Sequence, residues 1–319
     1  MVGSLCFMFA SILINNALGH PIVHGVLPRD PTQFSFAVSL QQVLRNGTLV
    51  HFCGGTYLGQ GWILTANHCV VGSDPISGIY AYVGGLPLLD SQPFVRRPVR
   101  QVISHPDYNR VTLGSDIALL RIDGADGSLQ LLDKLVQSNL LLPPKVDHPS
   151  NNNMAGGFIG VGGDALNLVQ SSYSGLGFDY TADQEQDEEC HIFGYGSDSF
   201  YGPTSDRLQY GGPIRPLSFD RCLQMLGPVV APATPNSGMF CAIGQADACR
   251  GDSGGGLVCR RKIWGPVGDR ERPYTLRGII SYGAGCGAPA SPGVYTDVSF
   301  YRTWIDELIA ASELASPNA

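Results

Sequence analysis

The sequence predicts an all-β chain built as two antiparallel barrels or sandwiches. Short runs of alternating apolar and polar residues recur along it, separated by turn signals. Glycine and proline are plentiful, 41 and 22 of 319 residues, and the apolar runs are short. Clear helical spacing shows in one segment only, near the C-terminus.

In chain order, "FSFAVSL" (34–40) alternates as a half-buried strand does. "TLVHFCGGTYLGQGWILTANHC" (48–69) reads as two strands around a glycine-rich turn. "IYAYVGG", "FVRRPVRQVISH" and "SDIALLRI" continue the first half. "ECHIFGYG", "GGGLVCRRK", "TLRGIISYG" and "GVYTDV" repeat that texture in the second. In "SFYRTWIDELIAAS", Tyr301, Trp304, Ile305, Leu308 and Ile309 share one helical face, with Ser299 placed to cap it. Between Pro143 and Glu189 the chain turns rich in Asn, Gly and Ser and then acidic, which reads as a long inserted loop. Its "GGFIGVGG" lacks the Lys-Ser/Thr ending of a phosphate loop. The run Asp183, Glu185, Asp187, Glu188 and Glu189 reads as a solvated charged loop before a calcium site.

Compartment follows from the N-terminus and the cysteines. Leu5 to Ile14 form a short apolar core, and Ala17-Leu18-Gly19 places small residues where a signal peptidase inspects, although the usual positive start is missing. Cys6 would leave with residues 1–19. The other eight cysteines, Cys53, Cys69, Cys190, Cys222, Cys241, Cys249, Cys259 and Cys286, read as a disulfide framework whose pairing spacing does not assign. None has zinc-site spacing. Asn46-Gly47-Thr48 is a glycosylation acceptor triplet. A net charge of −7 without a basic stripe argues against nucleic-acid binding, and no apolar run is long enough to predict a membrane span.

The chemistry centres on "DACRGDSGGGLVC", residues 247–259. Two readings compete there: a tight surface turn pinned by disulfides, or a nucleophile, Ser253, whose flanking backbone must closely approach a substrate. A serine hydroxyl needs a base, and the base needs orienting. His68 closes one apolar strand and Asp116 opens another, so the chain order is His, Asp, Ser.

With "IVHG", "CGGTYLGQGWILTANHC", "HPDYN", "SDIALL", "MFCA", "DACRGDSGGG" and "SYGAGCGAPASPGVYTDV", the chain resembles the chymotrypsin-like (trypsin-type) serine proteases over nearly all of its mature length. The resemblance implies two antiparallel Greek-key β-barrels with the active site between them and a C-terminal helix. It divides the chain into a signal peptide (1–19) with an extra dipeptide (20–21), an N-terminal barrel (22–130), a linker with the long insertion (131–189), and a C-terminal barrel with its helix (190–319).

It also implies roles. Ser253 is the nucleophile, His68 the general base, and Asp116 the buried group that orients the imidazole. The N–H groups of Gly251 and Ser253 form the oxyanion hole. Asp247 lies at the base of the primary specificity pocket, Gly283 and Gly293 match its walls, and Tyr295 its floor. Ala248 has no hydroxyl to help hold an ammonium, which implies arginine first and lysine second. Ser281, Tyr282 and Gly283 match the strand that pairs with substrate backbone. The implied disulfides are Cys53–Cys69, Cys190–Cys259, Cys222–Cys241 and Cys249–Cys286. The expected partners are protein or peptide substrates with Arg or Lys before the scissile bond, and proteinaceous inhibitors. The expected enzyme is a secreted monomer with no cofactor, metal, nucleic acid or membrane.

Four departures from the family pattern stand out. Gly256 replaces a proline, Tyr282 replaces a tryptophan, and "GGLPLLDSQPF" lacks the acidic pair of a calcium loop. Residues 1–21 hold no Lys or Arg, so a tryptic cut before Ile22 is impossible. The expectation is therefore two-step maturation: signal peptidase after Gly19, then removal of His20-Pro21 by an X-Pro dipeptidase, freeing Ile22 to pair with Asp252. The rival reading is a catalytically silent homologue acting as a binding or inhibitor-like protein. Extensions at Arg260–Leu276 and Pro228–Ser237 are candidates for shaping substrate choice or recruiting partners.

Overall fold

Strands β1 (Ala37–Val43), β2 (Leu49–Gly59), β3 (Trp62–Thr65), β4 (Ile79–Val83), β5 (Arg96–Ser104) and β6 (Ala118–Ile122) close an antiparallel barrel in the order β1-β2-β3-β6-β5-β4. The computed structural model describes residues 22–30, 32–72, 78–85, 96–123, 127, 129–145, 188–261, 273–287 and 291–315. The signal segment 1–19, the dipeptide 20–21, most of the 144–189 insertion, 262–272 of the Arg260–Leu276 extension and 86–94 of "GGLPLLDSQPF" lie outside the described residues.

A second set comprises β8 (Glu188–Gly194), β9 (Gln209–Leu217), β10 (Met239–Gly244), β11 (Gly256–Arg261), β12 (Tyr274–Gly283) and β13 (Gly293–Asp297). Its order is β11-β8-β9-β10-β13-β12, and β12 pairs back onto β11, closing a second antiparallel barrel. Short β7 (Leu140–Leu141) adds to β12 in parallel. Within each barrel, closure pairs every strand on both sides, which suits a chain of many short strands. The two barrels are those the resemblance implied.

The cores merge through aromatic rings. Phe34 lies 5.7 Å from Phe193 and 5.4 Å from Tyr274, and Phe36 lies 5.4 Å from Phe193, centroid to centroid. This corrects one expected strand. Residues 32–36 form turns, with Ser35 N–H donating to the Thr32 carbonyl at 3.1 Å and Ala37 N–H to the Phe34 carbonyl at 2.8 Å, and the strand starts at Ala37; Phe34, Ser35 and Phe36 are all buried rather than alternating.

The helical count also exceeds the expectation. Besides the single turn α1 (Asn67–Val70), there are α2 (Gln130–Asn139), α3 (Phe219–Val230) and α4 (Arg302–Ala315). In α2 only Leu132 and Val136 are buried, a stripe too narrow to read against the background. Its Asp133 accepts from the Tyr57 hydroxyl at 2.6 Å and from Gln60 N–H at 2.9 Å. In α3 the pattern breaks at Gly227 (φ 73°), just before Pro228. Tyr301, just before α4, and Ile305 within it are buried, and Trp304, Leu308 and Ile309 pack against the core, as expected. Ser299 does not supply a side-chain cap: its N–H and hydroxyl both donate to Asp297 Oδ1, at 2.9 and 2.6 Å. Among the described residues, no helix is long and apolar enough to cross a membrane.

Four disulfides join Cys53–Cys69, Cys190–Cys259, Cys222–Cys241 and Cys249–Cys286, the pairing the resemblance implied. Cys190 and Cys259 face each other in the β8–β11 register.

Candidate active site

β3 ends in four buried residues and runs directly into α1, which carries His68. Cys69, the next residue, is bonded to Cys53 on β2, so the imidazole rises from a doubly anchored turn. Asp116 lies two residues before the start of β6, the strand that pairs with β3, where Ala118 faces Thr65. That register brings Asp116 to His68. The carboxylate is fully buried. Its Oδ1 accepts from His68 N–H at 2.8 Å, and its Oδ2 accepts from His68 Nδ1 at 2.7 Å and from Ser281 Oγ at 2.5 Å. A carboxylate only accepts, so Nδ1 is the donor in this bond and Nε2 is the ring nitrogen left facing away from Asp116. Thr296 on β13 donates to the Asp116 carbonyl at 2.9 Å. The acid of one barrel is thus held by hydroxyls of the other.

Ser253 occupies the turn between Cys249 and β11. Its carbonyl accepts from Gly54 N–H at 2.7 Å and lies 3.6 Å from Cys69 Sγ, which sets the serine's main chain against the residue after His68. Buried Asp252 braces the turn, with Oδ1 accepting from Gly196 N–H at 2.8 Å and Oδ2 from Cys249 N–H at 2.9 Å. Burial pushes its carboxyl up to about 7, with the nearby Asp247 charge adding to the effect and the two N–H donors opposing it.

Two glycines are required here. Gly251 has φ 93°, and an added Cβ would meet Thr204, Gly196 and His51 at 3.0–3.2 Å. Gly254 has φ 83°, and its added Cβ would collide with the Thr65 hydroxyl.

A cleft of about 310 Å³ opens beside Ser253. Asp247, Ala248, Ser281, Tyr282, Gly283, Gly293 and Tyr295, the residues expected to form the specificity pocket and the substrate strand, line it with the serine, whereas Gly251 and His68 are not among its lining residues. Asp247 Oδ2 accepts from Gly287 N–H at 2.7 Å. Burial pushes the Asp247 carboxyl up, partly offset by N–H donors from Gly287 and Ala248. The Tyr295 ring stacks on Phe240 with centroids 5.5 Å apart, a rigid floor. Ser281 does something the sequence did not suggest: its hydroxyl is committed to Asp116.

His51 was also missed. Its Nε2 is 2.9 Å from the Gly251 carbonyl and its Nδ1 is 2.7 Å from Ser39 Oγ. No local signal marks it, since it reads as one residue of an ordinary strand.

Ile22 is fully buried beside Ile214, Ala242 and Ala246, and Val23 pairs with Asp247 through bonds of 2.9 and 3.3 Å. The N-terminal segment therefore lies against the loop that carries the cleft carboxylate.

A family model described as Trypsin matches residues 23–139 and 170–305. Urokinase-type plasminogen activator of Gallus gallus is 30% identical over 298 residues, covering 89% of this chain and 56% of that protein. Coagulation factor XII of Rattus norvegicus is 31% identical over 264 residues, covering 80% of this chain and 36% of the relative. Serine protease 56 of Homo sapiens is 29% identical over 269 residues, covering 83% and 36%. The chain spans between 36% and 56% of the length of these relatives.

Proposed function

The chain belongs to the trypsin family of serine proteases, and from that premise we propose that it is a secreted endopeptidase cutting after arginine, with lysine second, through an acyl-enzyme. The observation that carries this reading is the grip of buried Asp116 on His68, 2.7 Å at the ring and 2.8 Å at the backbone, beside the Ser253 turn.

Ser253 Oγ attacks the scissile carbonyl carbon and its proton passes to His68 Nε2. The carbonyl π electrons move to oxygen, where the N–H groups of Gly251 and Ser253 donate to the oxyanion. Collapse of the intermediate expels the amine, which takes the proton from His68 and leaves Ser253 acylated. Water then attacks the ester with His68 again as base, releasing the acid and restoring the hydroxyl. Asp116 stays ionised and stabilises the imidazolium.

The half-buried Asp247 carboxylate in the cleft supports a guanidinium ligand, because a planar fork makes two charge-assisted bonds to a carboxylate. Four disulfides support an oxidising, extracellular compartment. Asn46 supports glycosylation: it sits exposed at the β1–β2 turn, its side-chain oxygen accepting from Thr48 N–H at 3.0 Å. Maturation ends with removal of His20-Pro21 and pairing of the freed Ile22 ammonium with Asp252. The working domain division is 22–130, 131–189 and 190–319, acting as a monomer on protein substrates.

Hydrolysis of an arginyl amide by protein with a sequenced Ile22 terminus, together with phosphonate labelling of Ser253, is the expected result. A protein with that terminus that neither turns over nor labels would be the silent binding homologue instead.

A further inference from the structure

Two hydroxyls of the second barrel, on Ser281 and Thr296, hold Asp116 directly. A third reaches the residue before it. Tyr301, between β13 and α4, donates from its hydroxyl to Ser115 Oγ at 3.1 Å. Tyr301 is buried, and Gly238 leaves room for its hydroxyl: an added Cβ there would lie 2.5 Å from the Tyr301 oxygen.

Ser115 needs holding. Its φ is 53°, in the left-handed region, where Cβ crowds the following carbonyl oxygen. Leu113, two residues earlier, has φ 53° as well. Such backbone persists only where its surroundings fix it. Upstream the loop is fixed by Asn109. Its Oδ1 accepts from Val111 N–H at 2.8 Å and Thr112 N–H at 3.1 Å, and its own N–H donates to the Gly114 carbonyl at 3.0 Å. Downstream, Ile117 N–H donates to the Ser115 carbonyl at 2.8 Å, which closes a three-residue turn centred on Asp116. The Tyr301 ring bears on the same turn from its far side. It lies edge to face with His105, centroids 5.0 Å apart, and His105 N–H donates to the Ile117 carbonyl at 3.1 Å. Tyr301 thus acts on both neighbours of Asp116, on Ser115 through its hydroxyl and on Ile117 through His105.

The placement asked of Asp116 is narrow. Its two oxygens meet His68 at the backbone and at the ring, at 2.8 and 2.7 Å. A backbone change at Ser115 swings the next residue and lengthens one bond or both. We infer that Tyr301 is a positioning residue of the candidate site: its hydroxyl, through Ser115, holds the turn that aims Asp116 at His68. The expected rates rest on the endopeptidase reading, whereas the expected change in the His68–Asp116 bond does not.

The test compares wild type with Tyr301→Phe, Ser115→Ala and the double variant. Tyr301→Phe keeps the ring, so the core stays filled. On an arginyl amide, kcat is expected to fall about three- to ten-fold in each single variant, with KM within about two-fold. The double variant should be no worse than the poorer single one, because both substitutions remove the same bond. Proton NMR gives the second reading. The hydrogen between His68 Nδ1 and Asp116 is deshielded by the short bond to a carboxylate, and its resonance should move or broaden in Tyr301→Phe. An unchanged kcat, additive losses, or an unmoved resonance overturns the inference. If wild type hydrolyses no arginyl amide, the endopeptidase reading falls and the resonance alone decides. A displaced line in Tyr301→Phe then upholds the placement of Asp116 by Tyr301, and an unmoved line overturns it.

Discussion

His51 Nε2 donates to the Gly251 carbonyl at 2.9 Å, while its Nδ1 accepts from the Ser39 hydroxyl at 2.7 Å. The assignment follows because a carbonyl only accepts. Burial pushes the imidazole down to about 4, with the bond to Gly251 opposing the shift, so the ring is neutral in ordinary buffers. A histidine 200 residues upstream thus clamps the turn that carries the candidate oxyanion donor.

His51→Ala should lower kcat about ten-fold, the effect of roughly 1.4 kcal/mol, with KM little changed. Steady-state kinetics on an arginyl amide checks it, and unchanged kcat would remove His51 from the positioning machinery. His51 also carries a pH signature. Its folded value lies below the ordinary 6.5, so its stabilisation is full above about 6.5 and is lost as pH falls through about 4. The gap in Tm between wild type and variant should narrow across that window.

Ser281→Ala removes one of the two hydrogen bonds to Asp116 Oδ2 and leaves the other, from His68. The expected loss is in kcat, of order three- to thirty-fold, with arginine-over-lysine preference intact. A change confined to KM would make Ser281 a substrate contact rather than an orienting one.

Asp247→Ser should abolish basic selectivity. Truncating one member of a desolvated charge pair costs about 2–5 kcal/mol, so kcat/KM on arginyl substrates should fall roughly 30- to several-thousand-fold. Because burial pushes the Asp247 carboxyl up, arginine affinity should fade at a higher pH on acidification than an exposed carboxylate would allow. Competitive inhibition by benzamidine across pH measures this.

Asp252 predicts how processing alters stability. In the uncut chain its carboxyl is raised from 3.8 to about 7, so the fold favours the protonated form. That contribution is full below about 3.8 and is lost as pH rises through about 7, at up to roughly 1.4 kcal/mol per pH unit. In the proposed maturation a freed Ile22 ammonium is the counter-charge that cancels the loss. The Tm advantage of processed over uncut protein should therefore widen from pH 4 to 7 and then level off. A constant advantage would argue against the Ile22–Asp252 pair.

Asn67→Ala should stabilise the protein by about 1 kcal/mol. Asn67 is fully buried beside His68, and among the described residues neither its Oδ1 nor its Nδ2 has a hydrogen-bond partner. Removing an unsatisfied buried amide removes its desolvation cost. A thermal melt that drops instead would point to a water-bridged amide that supports the histidine turn.

Much of the site was legible in one dimension because its parts sit at strand ends with distinctive neighbours. His68 is locked beside Cys69, Asp116 opens an apolar stretch, and Ser253 lies among glycines whose positive φ, at Gly251 and Gly254, is a local need of the turn. Strand texture was legible for the same reason, since alternation is set by nearest neighbours. It failed where burial comes from both barrels at once, as at Phe34–Phe36, and where the buried stripe of a helix is only two residues wide, as in α2.

By itself the sequence determined the residue types, the eight-cysteine framework, most of the barrel-forming strands and the chain order of the candidate groups His68, Asp116 and Ser253. Only the tertiary structure decided that Ser281, 165 residues from Asp116, serves the carboxylate, that His51 holds Gly251, and that Arg250 and the exposed Phe200 line the cleft with Ser253. The reason is range. Periodicity and turn chemistry report forces acting over a few residues, whereas a hydrogen bond between distant strands exists only once two closed barrels have set their mutual register.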